Sequence, residues 1–409
     1  LRPARHCLTK AGKAHACVLT DVVREFRIRM GMELDLMNLW FGKTADYFKQ
    51  FISDQTIGMA RINRFDFTTL PINLLYLLYY EYRRNEKESL NFSFFEYGKN
   101  SNGNPDDDRW EMYLELQEMY AILQRWYNDK ELYHYLGFLF FNFKAQTPFR
   151  DIYTQWKTLN SRDKFLKDIQ HTIATRMLDR YLEETEKAAP DYQKCLKTMT
   201  EAISDFRENW YNNDKELYQI LILLDIFRIL DSKSIKKLPT DYFTRKSGQK
   251  DGEDKEHILS QTPRKDNGEI ATIKTDWEKF AQSEDFKDIR SQMQEILNHS
   301  DAELTEQELT QLQTLLNSAG HMVLLDLRIN RSYGNADYAH KRTIIFQEYM
   351  NQKYVRPHTL AVFMKGDIDA REATGIPLNR WTLEDIKRNT DKIAKEIGKN
   401  FNAWLTQNN

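Results

Sequence analysis

Apolar and polar positions follow the three- and four-residue spacing of amphipathic helices from about residue 33 to residue 232. The clearest stretch begins at Trp110, where the apolar side chains gather on one broad face, and three aspartates precede it at 106–108. Carboxylates favour the positive end of a helix, so this stretch is predicted to start there. Further helices are predicted at 129–145, 161–186, 191–211 and 214–231. The pattern therefore predicts a mainly α domain over residues 31–235.

The pattern changes after about residue 236, where polar and charged stretches surround a short apolar piece, HILSQ, that begins at His257. The segment HMVLLDLRI after Gly320 has the apolar density and length of a strand or a tight hairpin. Helices are predicted around these pieces, at 276–298, 302–317, 336–350 and 383–405. Residues 236–409 are therefore predicted to form a mixed α+β domain.

Composition narrows the class of protein. The chain has 409 residues, 59 Lys and Arg against 61 Asp and Glu, and a formal net charge of −2. This balance excludes a histone-like polycation and an acidic tail protein, but it allows DNA binding through a local basic face. Three cysteines do not make a disulfide framework, so a reducing cytoplasm is the expected location. The length corresponds to about two to three domains.

Two segments bear on targeting. The longest apolar run, YLGFLFFNF at 135–143, is about half of what a membrane span needs, so it is predicted to be a buried core helix and no membrane partner is expected. Residues 1–30 are an unplaced basic segment, interpreted as a disordered start rather than a targeting peptide. Because the chain begins at Leu1 without an initiator methionine, we interpret it as a processing product or part of a longer protein.

The candidate chemistry lies in the C-terminal region. Glu256 and His257 place a carboxylate, which binds hard cations, beside an imidazole, which can act as a general base. His321 and Asn330 lie nine residues apart on either side of MVLLDLRI. If that segment is a strand that turns into a helix, both side chains can return to Glu256 and His257. The alternative for the short motif at 256–259 is an ordinary strand edge.

Taken in order, these pieces resemble the C-terminal nuclease domain of GmrSD-type restriction endonucleases, a member of the His-Me finger (HNH) superfamily. The resemblance covers about 110 residues, in which no single piece is specific but the ordered set is. The matching positions are Glu256-His257-Ile258, Gly320, Leu324-Leu325, Asn330, Tyr333, Asn335, Tyr338, Lys341-Arg342, Thr359, Phe363 and Lys365.

The resemblance implies a ββα-metal fold and a role for each matching residue. His257 would be the general base, and Glu256 and Asn330 would hold Mg²⁺ or Mn²⁺. His321 stands where the family has an asparagine that orients the base, and it is expected to take over that catalytic role, to join the metal shell or to mark a weakened enzyme. Lys341, Arg342 and Asn335 are expected to contact DNA phosphates; the alternative for the Lys-Arg pair is a solvated helix face.

The upstream helices resemble, more faintly, the connector that such proteins carry between two functional halves. The family's other half is a ParB-like sensor with a DGQQR-like motif that uses nucleotide, and no such string occurs here. The expected partners are therefore DNA and a sensor domain or subunit with nucleotide dependence.

Three hypotheses follow. The first is a metal-dependent DNA endonuclease, the effector part of a restriction or phage-defence protein. The second is a catalytically weakened DNA- or partner-binding scaffold with a degenerate nuclease fold, and the third is an all-helical regulatory module. A structure in which Glu256, His257 and Asn330 lie more than about 10 Å apart would establish the third, since ligands of one Mg²⁺ lie about 2.1 Å from the ion.

Overall fold

The computed structural model describes residues 13–84, 89–95, 105–204, 210–233, 237–245, 252–258, 316–333, 338–365, 381 and 383–407. Its upstream helices are α1 (Lys13–Phe48), α2 (Asp54–Ile62), α3 (Asn73–Arg83), α4 (Pro105–Asn128), α5 (Lys130–Asn142), α6 (Phe149–Leu159), α7 (Arg162–Leu178), α8 (Tyr192–Ser204) and α9 (Asp214–Asp231). They are followed by strands β1 (Glu253–His257) and β2 (Met322–Asp326) and helices α10 (Leu327–Tyr333), α11 (Tyr338–Met350), α12 (Pro357–Met364) and α13 (Leu383–Thr406). The chain is thus mainly α with a small sheet, which agrees with the coarse prediction.

The chain separates into two compact units. The first comprises Leu1–Asp129 and Lys144–Thr158, and its core is rich in packed aromatic rings. Trp126 is fully buried and meets Trp156 edge-on, with 5.8 Å between ring centroids. Such edge-to-face pairs add stability beyond the apolar area they bury.

The second unit comprises Lys130–Phe143 and Leu159–Asn409. Residues 132–140 of α5 are all buried, which confirms the predicted core helix. His134 lies among them as a packing residue, because its Nδ1 faces the carbonyl oxygen of Lys130 at 2.5 Å and its Nε2 accepts from the amide of Leu238 at 2.9 Å. This pair of contacts requires the neutral imidazole.

The two strands pair antiparallel, with Glu253 opposite Asp326 and His257 opposite Met322. β2 is apolar and almost wholly buried, whereas β1 reads Glu-Asp-Lys-Glu-His. The segment predicted as a strand or hairpin is strand only to Asp326, whose Oδ1 accepts the amide of Arg328 at 2.8 Å and caps α10. The order along the described chain is therefore strand, strand, helix, with the helix directly following β2.

A buried ion network holds the start of β1. The guanidinium of Arg356 donates to both carboxylate oxygens of Glu253, each at 2.7 Å, and to Oδ2 of Asp225 at 2.8 Å. The other oxygen of Asp225 accepts the amide of His358 at 2.7 Å. All three charged side chains are at most 2% exposed, so α9, β1 and α12 are joined by one desolvated cluster.

Some predicted elements fall on residues that the structure does not describe. The helix predicted at 276–298, most of the one at 302–317 and residues 1–12 lie outside the described residues. The division at residue 235 between a helical connector and a nuclease domain concerns function rather than packing, and it also stays a prediction.

Gly320 lies in the turn before β2, where the backbone packs closely against α13. A Cβ there would lie 2.2 Å from Thr390 Oγ1, 2.4 Å from the Thr390 amide nitrogen and 2.8 Å from the Ile386 carbonyl oxygen. We expect Gly320→Ala to lower the free energy of unfolding by at least about 2 kcal/mol, since backbone atoms cannot yield cheaply. Urea unfolding measures this. Gly58→Ala in α2, which meets nothing within 4 Å, should instead raise stability by about 0.5–1 kcal/mol.

Candidate functional site

The end of β1 presents two chemically distinct side chains. Because successive residues of a strand point to opposite faces, Glu256 and His257 look in different directions from adjacent positions. Glu256 reaches Lys341 on α11 and Asn330 on α10. His257 lies on the other side of the strand, at the end of β1 rather than at the start of an apolar strand.

Glu256 and Asn330 are brought together as the sequence predicted. The Asn330 side chain hydrogen-bonds the Glu256 carboxylate, which is 15% exposed. Burial raises the pKa of Glu256, while the ammonium of Lys341 and the Asn330 hydrogen bond oppose that rise. A distance of more than about 10 Å between the Glu256 and Asn330 side chains, the observation that would have favoured the all-helical regulatory module, is thereby excluded.

The ammonium group of Lys341, which was predicted to contact a DNA phosphate, is directed into the fold. Its Nζ donates to Oε1 of Glu256 and, at 2.8 Å, to the carbonyl oxygen of His257. The residue is 0% exposed, and burial lowers its pKa against the attraction of Glu256. The phosphate contact of Lys341 stays a prediction, since in this conformation its side chain is directed to Glu256 and has no accessible surface. It braces Glu256 from inside the fold.

His257 is held by two neighbours that the sequence reasoning missed. Its Nε2 lies 3.0 Å from Oδ1 of Asn317, and the ring of Tyr211 stacks on it with 4.9 Å between centroids. With the amide oxygen of Asn317 as acceptor, the imidazole proton is on Nε2 and the lone pair on Nδ1. His257 is 8% exposed, and burial lowers its pKa to about 4. It is therefore neutral near pH 7, as a base must be.

His321 lies close to His257. Its ring is fully buried 5.9 Å, centre to centre, from that of His257, and its backbone carbonyl accepts the amide of Ile258 at 3.0 Å. The hydrogen bond on Nε2 of His257 goes to Asn317, four residues before His321, and the orienting role of His321 stays a prediction. An amide shortly before Gly320 was the available signal, but the family pattern pointed only to the residue after the glycine.

Of the two other residues predicted to contact phosphates, one is half-buried and one lies outside the described residues. Arg342 is half-buried; its Nε donates to the carbonyl oxygen of Phe363 at 2.9 Å, and its guanidinium lies 4.7 Å from the ring centre of Phe346. Asn335 lies outside the described residues. By contrast, Arg328 and Arg331 are exposed, three residues apart on α10, and they flank Asn330.

The residues at the end of β1 could supply only some of the ligands that a hard cation needs. Within the described part of the chain, no group of three or more His, Cys, Asp or Glu side chains is arranged to hold a metal ion. Glu256 presents a carboxylate, which accepts a hydrogen bond from the side-chain N–H of Asn330, and the amide oxygen of Asn330 is the second oxygen of the pair. Mg²⁺ commonly binds through one or two protein oxygens and keeps several waters. The donor chemistry therefore fits Mg²⁺ or Mn²⁺, with solvent and substrate oxygens completing the shell.

Buried histidines with lowered pKa values, among them His134 and His257, make folding stability depend on pH. Burial lowers the pKa of His134 and of His257 from 6.5 to about 4. Between pH 6.5 and about 4 the unfolded chain binds a proton at each of these histidines and the folded chain does not. The free energy of unfolding therefore decreases by roughly 3 kcal/mol per histidine as the pH is lowered through this range. The raised pKa values of Asp225 and Glu256 act in the opposite sense. The difference between wild type and His257→Gln, from urea unfolding at several pH values, isolates one histidine; identical pH dependence would contradict the assignment.

One region of the chain matches a known protein family. Residues 200–396 match the family model described as GmrSD restriction endonucleases, C-terminal domain. Neither a curated protein nor a solved structure matches the chain. Over the described residues, none of the helices combines the length and apolarity of a membrane span. The family match confirms the resemblance inferred from the motifs between Glu256 and Lys365.

Proposed function

Because residues 200–396 are a C-terminal region of the GmrSD restriction endonuclease type, we propose that this chain is a metal-dependent DNA endonuclease and the effector part of a restriction or phage-defence protein. The observation that carries the proposal is the hydrogen bond between Glu256 and Asn330 where β1 lies against α10, with His257 at the next position of β1. Two of these side chains offer oxygens to a cation, and the third is a neutral imidazole at the adjacent position.

The local architecture supports a His-Me finger fold. An antiparallel pair of strands is followed directly by a helix, and the candidate ligands lie on the first strand and on that helix. We accordingly assign the nuclease function to residues 236–409 and a connector role to residues 31–235. The ParB-like, nucleotide-using sensor domain or subunit belongs to this proposal as a partner, on the strength of the family resemblance alone.

In the proposed reaction, His257 takes a proton from the water that attacks a backbone phosphate. Glu256 and Asn330 would hold Mg²⁺ or Mn²⁺, which when bound supplies positive charge against the oxygen that leaves. Asn317 keeps the His257 imidazole in one tautomer and orientation. Lys341, buried beneath the carboxylate, holds Glu256 in place through a hydrogen bond, and its charge opposes the rise in the pKa of Glu256 that burial causes.

Binding of the DNA backbone is assigned to Arg328 and Arg331 rather than to Lys341. In a His257→Ala background, which prevents cleavage, we expect Arg328→Gln with Arg331→Gln to weaken DNA binding and to reduce the slope of log affinity against log salt by about 2, one per lost phosphate contact. Fluorescence anisotropy at several salt concentrations measures this. The exposed pair Lys164 and Lys167 on α7 is a control of equal charge and spacing; an equal loss in both double variants would contradict the assignment.

The endonuclease proposal is tested with plasmid DNA. Wild type should nick or linearise it with Mg²⁺ or Mn²⁺ and stop when EDTA is added. Glu256→Gln keeps a hydrogen-bond acceptor for Lys341 but removes the carboxylate charge, so it should cleave at least about tenfold more slowly at limiting metal. Cleavage by Glu256→Gln at the wild-type rate across a metal titration would overturn the assigned ligand.

One observation favours the scaffold alternative. His257 is only 8% exposed beneath Tyr211, which is itself 41% exposed, so water reaches the imidazole only at its edge. A degenerate nuclease would bind DNA or a partner protein tightly without binding a divalent metal. Isothermal titration with Mn²⁺ separates the two functions, since the endonuclease must bind the ion and the scaffold need not.

A further inference from the structure

Helix α1 carries apolar side chains on two opposite faces. One face packs into the core of the first unit through buried Met37, Phe41 and Phe48. The opposite face is exposed, and its four large apolar residues form what we term the outer stripe: Ile28 (56% exposed), Met32 (62%), Leu36 (62%) and Leu39 (63%). At about 100° per residue, the two sets centre on opposite sides of the helix.

The outer stripe has the spacing of a helix–helix seam. Its members follow one another at steps of four, four and three residues, or 11 residues in three turns, which keeps them in one row along the helix. Large apolar side chains exposed singly are ordinary on a protein surface, but a continuous row of them marks an interaction site. The row faces away from the core that α1 already covers, and no segment in the described part of the chain covers it, since each of its side chains is more than half exposed there.

Charged residues at the two ends of the stripe indicate that the second helix is another copy of α1 in antiparallel orientation. Exposed Glu25 lies seven residues before Met32 and exposed Lys43 lies seven residues after Leu36, so both share the face of the stripe. A parallel copy of α1 would set Glu25 against Glu25 and Lys43 against Lys43. An antiparallel copy centred on residue 34 sets Glu25 against Lys43 of the second copy, twice, and Met32 against Leu36.

We propose that the outer stripe of α1 binds the same stripe of a second copy of this chain, with the two helices antiparallel. Apolar contacts along residues 28–39 supply the affinity, and the two Glu25–Lys43 pairs select the orientation. This interface is separate from the proposed nuclease site, and it stands whether or not the chain cleaves DNA.

The affinity is tested by sedimentation velocity on the full chain over a range of concentrations. Wild type should form dimers, and Met32→Glu or Leu36→Glu should raise the dissociation constant at least about tenfold while leaving the circular dichroism spectrum unchanged. The matched control is Ile62→Glu, at an apolar residue that is 81% exposed but lies on α2. A wild type that is monomeric at its highest soluble concentration, or dimers equally stable in both stripe variants, would overturn the proposal.

The orientation is tested by exchanging the charges. Glu25→Lys alone and Lys43→Glu alone each create like-charge contacts at both ends of an antiparallel pair, so both should weaken association several-fold at low salt. The double variant Glu25→Lys with Lys43→Glu should restore it. In a parallel pair the double variant would keep the same like-charge contacts as wild type and gain nothing over the single variants, and that result would overturn the antiparallel arrangement.

Discussion

Replacing His257 with alanine is expected to lower the rate of metal-dependent DNA cleavage by about 10²–10⁴-fold, the contribution usual for a general base. The imidazole is neutral near pH 7 because burial lowers its pKa to about 4, so the variant loses the group that accepts the proton of the attacking water. Single-turnover cleavage of a plasmid at saturating enzyme measures the chemical step directly.

Two further variants make this prediction specific. His340→Ala removes an exposed histidine one residue before Lys341 and should cleave at the wild-type rate. Asn317→Ala keeps the imidazole but removes its partner on Nε2, so cleavage should slow by a smaller factor and the acid limb of the pH–rate profile should shift. A His257→Ala variant as fast as the parent would show that the base is elsewhere.

Replacing Arg356 with methionine is expected to cost about 3–5 kcal/mol of folding stability, because it leaves two buried carboxylates without their counter-charge. Glu253 and Asp225 are each about 1% exposed and share this one guanidinium. Burial raises the pKa of Asp225, and the charge of Arg356 is the largest opposing influence on it. The variant should therefore also recover part of its stability as the pH falls and the carboxylates take up protons.

Urea unfolding at two pH values measures both effects. Arg162→Met is the matched control, since its ion pair with Glu131 is 28% and 42% exposed and should be worth less than about 1 kcal/mol. Equal small losses in the two variants would mean that the Arg356 network adds little to stability. Because Glu253 begins the strand that ends in Glu256 and His257, a real loss should also reduce DNA cleavage.

The helices were the most predictable part of the fold. Helix α9 begins and ends at the predicted residues 214 and 231, and α13 begins at the predicted residue 383. Long stretches of three- and four-residue periodicity determine such elements locally, since one apolar face must be buried whatever covers it. Strand β1 was different: the prediction began a strand at His257, whereas the structure ends one there.

Strand β1 has no local signal because its five residues are Glu, Asp, Lys, Glu and His. It becomes a strand through its partners: β2 supplies the hydrogen bonds of the ladder, Arg356 neutralises Glu253 and Lys341 neutralises Glu256. Each of these partners is distant in the sequence. A charged strand of this kind is stable only where tertiary contacts compensate for the desolvation of its side chains.

The sequence alone predicted the family resemblance of the C-terminal region, the mainly helical class and the candidate residues Glu256, His257 and Asn330, because motif order and helical periodicity are properties of the chain itself. Only the tertiary structure decided how those residues are held. It placed Asn317 against His257, buried Lys341 under Glu256 and left Arg328 and Arg331 exposed beside Asn330. Burial and hydrogen-bond partners depend on which distant segments meet, and no local pattern of residue types contains that information.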